Sequence, residues 1–143
     1  AIIQSEGILV RPQFSTVSKF CTELTTLTPE QISKGMTYPE ALEYIKSKYK
    51  PFDRTWASYG DYDREQFRRN DSLYNTKSPF GRTHINVKNL LALEKGLKKE
   101  VGLTRGCELC GFTLDGTLHR GVDDSINIAK ILREILCLKK LSE

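Results

Sequence analysis

The stretch LHRGVDDSINIAKIL places His119 shortly before Asp123 and Asp124, directly ahead of an apolar run. A second acidic stretch, WASYGDYDREQF, sets Asp61 and Asp63 just after the turn residue Gly60. Carboxylates held near a histidine can bind Mg²⁺ or Mn²⁺ and activate a water for attack on a phosphodiester. Imidazole changes protonation state near neutral pH, which suits it to take the proton of that water. The same residues also admit a structural reading. Aspartate at a helix start is the commonest cap and complements the helix macrodipole. Spacing alone leaves both readings open.

These residues need elements to hold them. SEGILVRP (5–12) is a short β-rich run stopped by Pro12. TPEQISKG (28–35) predicts one or two helical turns, with Thr28 as N-cap, Pro29 at N1, Gln31 closing a capping box and Gly35 at the end. TYPEALEYIKSKY (37–49) is amphipathic, with Ala41, Leu42, Ile45 and Tyr49 at helical spacing before Pro51. RTWASYG (54–60) predicts a strand, and DYDREQFRRNDSLY (61–74) a polar helix. THINVKNL (83–90) alternates like a strand and runs into a helix over VKNLLALEKGLKKEVG. TRGCELCGF predicts a short helix. Asp123 or Asp124 then caps a helix that buries Ile126, Ala129, Ile131, Leu132, Ile135 and Leu136. Mixed strands and helices imply an α/β class, and 1–143 reads as a single domain. Acidic residues leaving the carboxyl end of a strand lie where such folds place ligands.

The composition fits a folded domain: 38% of the 143 residues are hydrophobic and 28% charged. No apolar run is long enough to cross a bilayer, and AIIQSEGILVRPQF lacks the basic and apolar regions of a signal peptide. The chain therefore reads as cytoplasmic, with its four cysteines reduced. Cys107 and Cys110 form a CxxC, but Cys21 and Cys137 are isolated, and a zinc site needs two further ligands at suitable spacing. Small buried positions on a short helix are the favoured reading of that pair. A formal net charge of +4 permits a polyanionic partner without requiring one.

HRGVDD followed by INIAKIL resembles the third exonuclease motif of the DEDDh 3′–5′ exonucleases. These are RNase H-like enzymes that include the proofreading subunit of bacterial DNA polymerase and oligoribonuclease. The likeness is closest to the branch of histone-mRNA- and small-RNA-trimming exonucleases and sporulation-inhibitor-type bacterial homologues. LVRPQFSTVSKFCTELTTLTPEQI (9–32), SYGDYDREQF (58–67) and THINVKNLLAL (83–93) match further segments of that branch in order. The resemblance spans nearly all of 8–136 and implies an RNase H-like three-layer fold, a central mixed sheet flanked by helices. It implies Asp63 and Asp124 as metal ligands and His119 as general base. Two ions, Mg²⁺ or Mn²⁺, would bridge carboxylates and phosphate, and a nucleoside monophosphate would leave from the 3′ end. It also favours RNA over DNA.

The resemblance calls for an Asp-x-Glu on the first, central strand, and no Asp-x-Glu stands ahead of VRP in this sequence. AIIQ is similar to the start of the family's second strand, which makes SEGILVRP the third. Setting QSE (4–6) on Asp-x-Glu saves one carboxylate and leaves no second strand. Loss of a central strand would expose apolar faces and leave backbone groups unpaired. Three explanations follow: a longer polypeptide, a truncated relative, or a strand supplied by another chain. A non-catalytic nucleic-acid-binding or scaffold protein that kept the fold is the alternative function. On the substrate side, single-stranded 3′ ends would be held by stacking and phosphate contacts. Arg64, Arg68 and Arg69 on the helix after the second motif, and Arg120 beside the base, are the candidates, against a solvated helix face. Trp56 and Tyr59 read as core residues ahead of base-stacking ones.

Overall fold

Three threonine or serine hydroxyls start the first helices of the chain. The computed structural model describes residues 2–138, with side chains through Cys137. In chain order the elements are α1 (Lys19–Thr25), α2 (Pro29–Ser33), α3 (Tyr38–Tyr49), β1 (Trp56–Ser58), α4 (Tyr62–Tyr74), β2 (His84–Asn86), α5 (Val87–Glu94), α6 (Leu103–Leu109) and α7 (Gly121–Leu138). Ser18 caps α1, a helix not among those expected from the sequence. Thr28 and Gln31 form the expected capping box at α2, and Thr37 with Glu40 forms a second one at α3. A single 3₁₀ turn, Pro51–Asp53, stops the chain after α3. β1 and β2 pair in a small parallel sheet, joined through α4 as a β–α–β crossover.

Several expectations are corrected. Residues 5–12 form no strand: one isolated parallel bridge joins Val10 to Met36. Residues 2–4, aligned above with the start of a strand, carry no regular structure. The helix expected over 87–102 ends at Glu94, and Gly96 turns the chain at φ +62°. Neither Asp123 nor Asp124 is a cap. The Asp124 N–H already bonds the Arg120 carbonyl, so both aspartates lie inside the first turn of α7.

The chain divides into two compact units. One unit is Glu6–Trp56 with Arg64–Thr83. An aromatic cluster fills it: the Trp56 ring stacks on Phe80 at 4.8 Å, and Phe67 meets both edge-on. The Trp56 indole N–H donates to the Gly81 carbonyl, so Trp56 is a packed residue, as the sequence suggested. Asp71 accepts from Tyr38, Thr76 and Ser78 and closes the loop after α4.

Among the described residues the other unit holds residues 2–5, Ala57–Asp63 and residues 84–138. Its core joins Val87 and Leu91 of α5, Cys107 of α6, and Ile131 and Ile135 of α7. Gly106 lets these helices meet, because a Cβ there would lie 2.5 Å from the Tyr59 hydroxyl and 3.1 Å from Leu91. Tyr59 donates to the Val101 carbonyl, and burial pushes its phenol up to about 12. The buried stripe of α7 differs from the expected one. Leu136 is 56% exposed, and the polar Asn127 is fully buried.

Candidate active site

β1 ends in a turn that hands the chain to the first turn of α4, where Asp63 sits. The Ser58 hydroxyl donates to the Gly60 carbonyl at 2.8 Å. Its single proton is thereby used, so it accepts from the His84 Nε2–H, also at 2.8 Å. His84 lies on β2 and reaches Asp63 electrostatically. Burial raises the Asp63 carboxyl above the ordinary aspartate range, and the charge of His84 opposes that rise. Asp61 accepts instead from the Asn86 side chain.

His119 sits on a turn closed by the Arg120 N–H on the Thr117 carbonyl, with φ +66°. That left-handed backbone is uncommon for a residue with a side chain. Asp124, in the first turn of α7, accepts from the His119 backbone N–H. Its Oδ1 is buried without a hydrogen-bond partner. Burial raises the Asp124 carboxyl, the N–H and charge of His119 lower it, and Asp123 and Asp63 raise it again, for a net upward shift. Asp63, His119 and Asp124 therefore share one unit, and Asp124 feels the charge of the other two.

An orphaned carboxylate oxygen beside a second desolvated carboxylate is costly without a cation. Hard oxygen donors of this kind suit Mg²⁺ or Mn²⁺, and Mg²⁺ is often held by one or two carboxylates plus substrate phosphate. Among the described residues no cluster of three or more His, Cys, Asp or Glu could hold a metal. Asp63 and Asp124 are the candidate donors, since both carboxyls are desolvated and the charge of Asp63 reaches Asp124.

The exonuclease family described as RNase_T matches residues 1–132. The chain belongs to this exonuclease family. It is 28% identical to human 3′-5′ exoribonuclease 1 over 137 residues, covering 89% of this chain and 39% of that protein. It is 22% identical to the probable 3′-5′ exonuclease KapD of Bacillus subtilis, covering 92% of this chain and 65% of KapD. The chain thus spans well under half of the human protein. Among solved structures, the nuclease domain of 3′hExo, a DEDDh family member bound to rAMP, superposes with a TM-score of 0.77 at 28% identity. That match covers 92% of this chain and 70% of that one. The fold is the mixed α/β, RNase H-like fold of the DEDDh nucleases, with a described sheet smaller than the sequence led us to expect.

In this exonuclease-family chain the candidate arginines fall in both compact units. Arg120 belongs to the unit that holds Asp63 and Asp124, whereas Arg64, Arg68 and Arg69 belong to the other. Arg68 is ion-paired to Glu65 at 2.6 Å. Cys107 is buried in the core, and Cys110 packs against it. Burial pushes both thiols up, which makes them poor nucleophiles. The sequence reading passed over Ser58, His84 and Asn127. His84 offered one signal, being the only other histidine, on a strand next to the acidic motif. Asn127 offered another, as a polar residue inside an apolar helix.

Proposed function

We propose that the chain removes nucleoside monophosphates from the 3′ end of single-stranded RNA by divalent-metal-dependent hydrolysis. The observation that carries this reading is Asp124: its Oδ1 is buried and unpartnered, it is coupled to Asp63, and it is joined to the His119 turn. Asp63 and Asp124 would hold the cation, which when bound supplies Lewis acidity toward water and phosphate. His119 is the general base. Its ring is exposed, so a proton taken from the attacking water passes on to solvent. The hydroxide oxygen bonds to phosphorus as the bond to the 3′ oxygen breaks, and that oxygen takes a proton from solvent, so the shortened chain ends in a free 3′ hydroxyl. Arg120 contacts phosphates without reading sequence. RNA is favoured over DNA because the human relative is named an exoribonuclease and the 3′hExo domain holds rAMP. The cytoplasm is the proposed location.

The test is turnover of 5′-labelled single-stranded RNA with Mn²⁺. His119→Ala should slow it at least ~100-fold, the low end of what a general base contributes. Unchanged turnover would remove His119 from the mechanism.

A further inference from the structure

The loop leading into the His119 turn is fastened to α7 by side chains on one helix face. Asn127 accepts from the Asp115 N–H at 3.0 Å and donates to the Asp115 carbonyl at 2.8 Å. Its second donor bond goes to the Asp123 carbonyl at 2.8 Å. Asn127 is 0% exposed, and all three of its bonds are part-buried. Asp123 accepts from the Thr117 N–H at 2.8 Å. Its carboxylate lies over Gly116, where φ is +82° and an added Cβ would come within 2.5 Å of the Asp123 Cγ. Lys130 pairs with the Asp115 carboxylate at 3.1 Å. Positions 123, 127 and 130 follow the spacing of one helical face. The Thr117 carbonyl then closes the turn on Arg120, and the His119 N–H returns to Asp124. Backbone groups on both sides of His119 are thus held by α7.

We propose that Asp123 and Asn127, with Lys130 in support, are positioning residues that hold the His119 turn in its left-handed conformation and so aim the imidazole. None of the three is assigned to metal or substrate. The proposal rests on His119 being the general base. A reacting group displaced by about 1 Å can lose ~10²-fold in rate, so the clasp is expected to show in kcat.

The test uses the full polypeptide, 5′-labelled single-stranded RNA and Mn²⁺. Asp123→Ala should lower kcat about tenfold or more with KM for RNA within about twofold, and Asp123→Asn, which keeps an acceptor for the Thr117 N–H, should recover most of it. Gly116→Ala, which displaces the carboxylate without removing it, should mimic Asp123→Ala. On a His119→Ala background, Asp123→Ala should cost nothing further, because it acts through that ring. Losses that multiply in the double variant would overturn the proposal, as would an unchanged kcat in Asp123→Ala. Amide hydrogen exchange gives a second reading without turnover. The Thr117 N–H should lose protection about tenfold or more in Asp123→Ala and regain it in Asp123→Asn, and unchanged protection would dismiss the clasp. If His119→Ala alone keeps full turnover, the general-base reading fails and the aiming role falls with it, while the exchange data still report on the clasp itself.

Discussion

Asp124 is held under opposing demands, and that makes it the most informative residue to change. A carboxyl whose folded pKa exceeds its unfolded one binds more protons when folded. Stability then falls as pH rises from the ordinary aspartate range through the raised value, and the full cost is present above it. Asp124→Asn should therefore melt at a higher temperature than the wild type in EDTA at pH 7. The gap should close below about pH 3, where free aspartate is itself protonated. Mn²⁺ should raise the wild-type melting temperature and leave the variant nearly unmoved, by ligand linkage. A variant that melts at or below the wild type in EDTA at pH 7 would show that Asp124 carries no such strain. Asp63, Asp124 and His119 became candidates through the resemblance of their stretches to exonuclease motifs, since their spacing alone left a structural reading open. Ser58 with His84, and Asn127 with Asp115, did not. Those bonds join residues 26 and 12 positions apart, and only the fold brings them together.

At the scale of elements, local chemistry was readable and long-range pairing was not. The Thr28 box and Pro29 set the start of α2 as read. The second box, Thr37 with Glu40, has the same logic. Thr37→Ala should destabilise by about 1 kcal/mol, since α3 would lose the hydroxyl that accepts the Glu40 N–H. Thermal melting checks this, and no change would mean the box is replaced by water. The failed strand over 5–12 has a physical reason. Its β-rich composition describes residues that suit a sheet, but a strand needs a paired neighbour, and here only Val10 finds one, at Met36. α7 shows the opposite case. Its apolar periodicity is real, yet the buried stripe follows Asn127, Ile131 and Ile135, because a satisfied amide occupies a core position that the pattern assigned to carbon. Packing fixes α6 similarly. Gly106→Ala should cost on the order of 1–3 kcal/mol, measured by denaturant unfolding, because the new Cβ overlaps the Tyr59 hydroxyl.

Across the whole chain, the formal net charge of +4 is modest, so the proposed RNA binding would rest on individually placed basic side chains more than on a general field. If about three phosphates are neutralised, single-stranded RNA affinity should drop roughly twentyfold between 50 and 200 mM salt. A flat response would argue for stacking alone. No helix among the described residues is long and apolar enough to cross a membrane. The family was legible because several motifs occur in order along most of the chain, and the RNase_T match over 1–132 bears that out. The central claim is that Asp124 makes this chain a 3′-end exonuclease. The most direct measurement is digestion of 5′-labelled single-stranded RNA with Mn²⁺ by the wild type beside Asp124→Asn, with RNA binding measured for both. The account predicts a ladder that shortens from the 3′ end in the wild type and intact RNA in the variant, at similar binding. Bound but undegraded RNA in the wild type, or the same ladder from both proteins, would contradict it.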